Sequence, residues 1–219
     1  MDEQVGQVID AIDATGLAAT TRIVYSSDHG DNMGARGMWN KCVLYRESTG
    51  VPMIVAGPDI PAGATCASTA NLVDLHQSAL ECTGLGLSRE DEGLPGRSLF
   101  ALARGEGGAD RIGFSEYHAV GSPSGAYMIT KGRWKYHHYV GYRPELFDLD
   151  ADPEEARDLA GDPEHASVVR EMESELRRML DPEAVDRRAK DDQNRLVERV
   201  GGRERALSLG PKGATPIPG

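Results

Sequence analysis

The residues able to do chemistry crowd into one short run of this chain. Asp28, His29 and Asp31 stand in SSDHGD, directly after the β-rich stretch RIVYSS. Carboxylate oxygens are the donors that a hard divalent cation takes, and an imidazole adds a ligand or a hydrogen bond. A strand-end Asp followed by a second donor sets two ligands beside one pocket. Gly30 and Gly34 let the backbone turn tightly there. The same residue types also build a plain polar turn closed by Asp31 or Asn32. Lys41 follows in GMWNK, thirteen residues after Asp28. An ammonium beside a metal suits the outer oxygens of a sulfate or phosphate, although most lysines are simply solvated. Arg36 is a weaker candidate of the same kind, and Trp39 and Tyr45 read as packing residues. His118, in SEYHAVGSPSG, ends a β-like run before a flexible loop. It either lines a substrate pocket or sits as a polar loop histidine.

Positioning these groups requires a particular order of elements. Val5, Val8, Ile9 and Ile12 recur at helical spacing, and Gly16 offers a stop. The run 22–27 reads as a buried strand, and VPMIVA (51–56) as the next one, closed by Gly57-Pro58. A polar, Gly-rich loop at a strand's carboxyl end is where α/β sheets hold their ligands. A helix from Asp74 to about Cys82 turns Leu75, Ala79 and Leu80 inward, and a short helix follows at 98–103. Beyond the glycines at 105–108 the texture changes to short β-like runs between 112 and 149. An amphipathic helix over 163–180 carries Val168, Met172, Leu176 and Met179 on one stripe, fit to cover one face of a small antiparallel sheet. The charge run 186–205 reads as a solvated helix. The expected division is therefore 1–110, part of an α/β domain; 111–185, a small antiparallel α+β subdomain; and 186–219, a charged and Gly/Pro-rich tail. Two strands do not complete a parallel sheet, and an uncovered edge and apolar face follow. The chain therefore reads as part of a longer polypeptide.

Composition narrows the partners. The net charge of −11 over 219 residues carries no basic stripe, which argues against nucleic acid. An anionic substrate must be met locally, by a metal or a placed lysine, against an unfavourable overall field. Cys42, Cys66 and Cys82 fit no zinc spacing. They read as free, mostly buried thiols, which suits a reducing compartment, the cytoplasm before the periplasm. There is no apolar run of spanning length and no signal-peptide pattern, so no membrane partner is expected.

The stretch VYSSDHGDNMGARGMWNKCVLYRESTGVPMIVAGP closely resembles the second signature region of the type I, formylglycine-dependent sulfatases of the alkaline phosphatase superfamily. The later pieces NLVDL, GRSL, SEYHA, KGRWKY and ELFDLDADPEEARDLA follow the order usual in that family. The resemblance runs from about residue 2 to about 180 and is nearest the choline-sulfatase and phosphonate-monoesterase branches.

It implies an alkaline-phosphatase-like α/β fold and hydrolysis of a small-molecule sulfate ester. It also implies that Asp28 is a metal ligand, with His29 in the adjacent metal-site position, and that Lys41 contacts the transferring sulfate. Oxygen-rich ligation favours Ca²⁺, with Mg²⁺ or Mn²⁺ as the other choices. The family nucleophile is a formylglycine formed within C-x-P-S-R or a close variant. None of the three cysteines is followed by x-P-x-R. The expectation is thus a C-terminal sulfatase fragment, inactive alone, with its nucleophile upstream. The alternatives are a phosphonate or phosphate monoester hydrolase fragment and a non-catalytic truncated product. The resemblance further implies a homo-oligomer in which the tail 201–219 lies on a neighbouring protomer, against the plainer alternative of a disordered end.

Overall fold

A computed structural model describes residues 1–108, 110–119 and 121–209. The chain opens with α1 (Asp2–Ala14), β1 (Ile23–Ser26), a one-turn helix α2 (Arg46–Thr49) and β2 (Met53–Ala56). Helices α3 (Asp74–Thr83) and α4 (Leu99–Ala103) follow. Then come four strands, β3 (Gly113–Tyr117), β4 (Ala126–Lys131), β5 (Trp134–Tyr139) and β6 (Glu145–Asp148). Helices α5 (Ala166–Met179), α6 (Pro182–Arg199) and α7 (Arg203–Ser208) close the described chain. The tail 201–219 is described as far as Leu209, and residues 210–219 lie outside the described residues.

The 113–148 strands form one antiparallel sheet in the order β3-β4-β5-β6. Strand alternation gives it two buried faces. One face carries Tyr127, Ile129, Tyr136 and Leu146, packed on Met172 and Leu176 of α5. The other carries Met128, Lys135, His137 and Phe147, and the segment around Leu44 and Tyr45 covers it. This second face fastens the small sheet to the site loop. Of the stripe expected on α5, Met172 and Leu176 are fully buried, whereas Met179 is exposed at the helix end.

β1 and β2 pair antiparallel, Ile23 opposite Ala56 and Ser26 opposite Met53. The α/β reading of this region had suggested parallel strands. The reason lies in the connection, which folds back on itself so that the Gly30 N–H donates to the Ser48 carbonyl at 2.8 Å. β1 is half-buried along its length rather than buried. α1 buries none of its residues, and Val8 and Ile9 face outward.

Two further expectations are corrected by polar contacts. In α3 the inward residues are Asp74 and Ser78, whereas Leu75 and Ala79 are exposed. Asp74 accepts from the backbone N–H groups of Asn71 and Arg97, both at 2.8 Å, and from the Arg111 guanidinium at 2.7 Å. Ser78 accepts from the Leu99 N–H at 2.8 Å. A buried polar group with all its bonds made displaces an apolar residue from the inner face. Cys42, Cys66 and Cys82 are free thiols, but all are exposed. Polar neighbours surround them: Tyr117 at Cys42, the Leu102 carbonyl at Cys66 and the Arg22 guanidinium at Cys82. Among the described residues no helix is long and apolar enough to cross a membrane.

Candidate functional site

The site is built on the connection between β1 and β2. β1 ends at Ser26, and the next residues turn sharply. The Ser27 hydroxyl donates to the His29 carbonyl at 2.8 Å, and the Asp28 carboxylate accepts the His29 N–H at 3.0 Å. Gly30 is needed at the turn because a Cβ there would stand 2.0 Å from the Glu47 carbonyl oxygen. Further along, the Met33 N–H donates to Asp31 Oδ1 at 3.1 Å, a local turn that leaves Asp31 outside the cleft lining. Asn32 is buried and binds the Asn40 carbonyl through both its backbone and side-chain nitrogens, which brings Lys41 back toward His29.

Asp28, His29 and Lys41 line one cleft of about 750 Å³ between this connection and the small sheet. Lys41 Nζ stands 2.5 Å from His29 Nε2, and Asp28 Oδ2 stands 3.3 Å from the same nitrogen. The tautomer follows from the other ring nitrogen. His29 Nδ1 lies 2.8 Å from the Gly30 carbonyl oxygen, which can only accept. Nδ1 therefore carries a proton, and Nε2 accepts from the Lys41 ammonium. A backbone carbonyl that fixes the far nitrogen is the usual support of a metal-ligating histidine.

The separation of Asp28 Oδ2 and His29 Nε2 suits neighbouring positions around one divalent cation, since bonds of about 2.0–2.5 Å put adjacent ligands about 3 Å apart. Among the described residues, no cluster of three or more Asp, Glu, His or Cys side chains forms a complete metal site. The pair thus fits as part of a ligand set.

The other candidates lie elsewhere. Arg36 turns away from the cleft to donate to the Glu155 carbonyl at 2.8 Å, and its guanidinium lies 4.3 Å over the Tyr45 ring. Trp39 is exposed, with one edge against Gly34, so it packs less than expected. Tyr45 does pack, edge-on to His137 and Phe147, and its hydroxyl donates to Glu145 at 2.8 Å. His118 is outside the cleft lining. Its ring meets Tyr127 edge-on, and its Nε2 is 3.4 Å from Glu116, a residue that does line the cleft. His137 and His138 point to opposite faces of β5, as strand alternation requires.

A buried polar cluster adjoins the cleft, and two of its members, Lys135 and Glu155, line it. Burial opposes ionisation of Glu145, yet hydrogen bonds from His137, Tyr45 and Tyr139 outweigh it and hold the carboxyl at about 2. Burial drives His137 below its ordinary value against the pull of Glu145. Burial also lowers Lys135, again opposed by a carboxylate, that of Glu155 at 2.8 Å. Sequence reasoning named Asn32 only as a turn residue and missed Ser48, Lys135 and Glu155, which hold the connection in place. The one available signal was Lys135, two positions before His137 and therefore on the same face of the strand.

Residues 34–181 match the family described as N-sulphoglucosamine sulphohydrolase, C-terminal. The choline-sulfatase of Rhizobium meliloti is 37% identical over 164 residues, 74% of this chain and 31% of that protein. Arylsulfatase K of Xenopus laevis is 30% identical over 189 residues, 82% of this chain and 35% of that protein. The solved phosphonate monoester hydrolase from Silicibacter pomeroyi superposes with a TM-score of 0.70 at 25% identity, covering 81% of this chain and 38% of that one. The chain thus spans about a third of the length of the curated relatives it matches.

Proposed function

The chain belongs to the sulfatase family, and from that premise we propose that it supplies the anion-facing and part of the metal-facing side of a sulfuric ester hydrolase site. Lys41 contacts the sulfate group, and Asp28 with His29 offers two donors to a divalent cation, Ca²⁺ before Mg²⁺ or Mn²⁺. The formylglycine nucleophile belongs to polypeptide outside these 219 residues. The observation that carries this reading is the convergence of Asp28, His29 and Lys41 on one cleft, with Lys41 Nζ 2.5 Å from His29 Nε2.

The contact between Lys41 and His29 suits such a role. An ammonium has three donors and no acceptor, and here one is spent on the His29 imidazole. An arriving sulfate offers charged oxygens instead, a stronger partner for the same donor. When Lys41 turns to the anion, the Nε2 lone pair becomes free for a cation. A bound divalent cation would neutralise charge on the sulfate oxygens and polarise the ester. Lys41 contributes the same kind of stabilisation from the protein side.

The test is titration of the purified chain with sodium sulfate, with and without calcium chloride, followed by calorimetry. Sulfate should bind, and Lys41→Met should weaken it by about tenfold or more, the share of one charge-assisted hydrogen bond. Equal affinity in the variant would remove Lys41 from the anion site. A chromogenic aryl sulfate should not be turned over by the chain alone, and turnover that depends on Asp28 would overturn the assignment of the nucleophile elsewhere. The likeness to a phosphonate monoester hydrolase supports a second reading, in which the same residues meet a phosphonate ester. Tighter binding of methylphosphonate than of sulfate would favour it.

A further inference from the structure

We propose that Glu155, 127 residues beyond Asp28, is a positioning residue that holds Lys41 and the Asp28–His29 pair in register through α2. The proposal rests on the functional reading above and adds the means by which the site is kept in place.

The loop lacks an anchor of its own. From Asp28 to Lys41 a single side chain, Asn32, is buried, and it is polar. A loop with no apolar side chain in the core takes its position from hydrogen bonds. Two of these come from Ser48, which is itself buried. Its carbonyl accepts the Gly30 N–H at 2.8 Å, and its hydroxyl donates to the Lys41 carbonyl at 2.5 Å. Ser48 thus ties together the two ends of the loop that carry the chemistry.

Ser48 lies on α2, a single turn of four residues. One turn is too short to hold its own geometry, because nucleation costs more than the few bonds return. Its first N–H groups are also without partners inside the helix. Glu155 supplies what is lacking. Its Oε2 accepts the Arg46 N–H at 3.1 Å, at the first residue of α2. Its Oε1 accepts Lys135 Nζ at 2.8 Å, and Lys135 reaches Thr49 Oγ1, at the last residue of α2, at 3.3 Å. One buried ion pair therefore grips both ends of the turn. Two arginines of the signature region fix the 153–155 turn in return: Arg46 donates to the Pro153 carbonyl at 2.9 Å and Arg36 to that of Glu155 at 2.8 Å. Lys135 and Glu155 are 3% and 2% exposed, so water does not weaken the grip.

The test separates positioning from packing. Removing one charge alone would strand the other in the interior, so both are changed together. Lys135→Met with Glu155→Gln keeps a carbonyl oxygen for the Arg46 N–H, whereas Lys135→Met with Glu155→Met removes it at similar volume. Amide hydrogen exchange is followed by NMR at Gly30 and, as a check on folding, at Tyr127 and Ile129 of β4. Exchange at Gly30 should quicken about tenfold in the Met variant, and sulfate affinity should fall by a similar factor. The Gln variant keeps the bond to the Arg46 N–H and loses only the hold on Thr49, so its Gly30 exchange should lie nearer the parent than the Met variant, and β4 should stay protected in both. Arg46→Pro gives a second route, since proline at the first helical position removes the N–H without burying a charge. Arg46→Ala controls for its side chain. Unchanged Gly30 exchange in folded Met and Pro variants would overturn the proposal, as would a Gln variant that fails along with the Met one. If the parent binds no sulfate while Gly30 responds as expected, positioning stands and the functional reading falls.

Discussion

Replacing Gly30 by alanine puts the geometry of the site loop to a direct test. Gly30 does not adopt a positive φ. On backbone grounds alone, alanine would narrow the unfolded ensemble and raise stability by about 0.4–1 kcal/mol. The structure demands the opposite sign. The new Cβ would stand 2.0 Å from the Glu47 carbonyl oxygen, 3.0 Å from its carbon and 3.1 Å from the Gly50 carbonyl oxygen. All three are backbone atoms, so no side chain can swing aside. Relief requires the loop and α2 to part by about 1 Å, which stretches the Gly30–Ser48 hydrogen bond beyond use. Overpacking of this kind costs about 1–3 kcal/mol, and the lost hydrogen bond about 1 kcal/mol more. Less the entropic gain, the variant should be about 1–3 kcal/mol less stable. For a chain of this length that is a fall of roughly 3–10 °C in Tm. The assay is thermal and urea unfolding followed by circular dichroism. Gly6→Ala is the control: Gly6 lies inside α1 with nothing within 4 Å of a Cβ, so it should gain about 0.5–1 kcal/mol. A Gly30→Ala protein as stable as the parent would refute the close approach of the loop to α2.

Three other outcomes follow from contacts already described. Asp74→Ala removes the shared acceptor of two backbone N–H groups and the Arg111 guanidinium, and should cost about 3–5 kcal/mol by urea unfolding. Burial lowers both His137 and His138 from the ordinary 6.5, so below that pH the unfolded chain binds more protons than the folded one. Stability is then full above about pH 7 and falls as pH drops toward 5, by at most about 1.4 kcal/mol per pH unit for each histidine. A Tm that rises on acidification from 7 to 5 would contradict it. Tyr45→Phe should cost about 1 kcal/mol through the lost bond to Glu145, and NMR titration should find the Glu145 carboxyl above its present value of about 2.

What the sequence determined by itself is local. The 3.6-residue stripe of α5 and the short β-like runs between 112 and 149 each follow from neighbours a few positions apart, and each element forms where those patterns stand. The order Asp28, His29, Gly30, then Lys41 was equally legible as a candidate site, because the residue types sit within one loop, and Asp28, His29 and Lys41 line one cleft. Tertiary structure decided whatever depends on distant partners. α3 turns Asp74 and Ser78 inward because Arg97, Leu99 and Arg111 come to meet them. Hydrophobic periodicity carries no record of such partners. The hold on Lys41 is likewise invisible in the loop itself. It passes through Ser48 and α2 to Glu155, about half the chain further on, whose carboxylate folding brings to 3.1 Å from the Arg46 N–H.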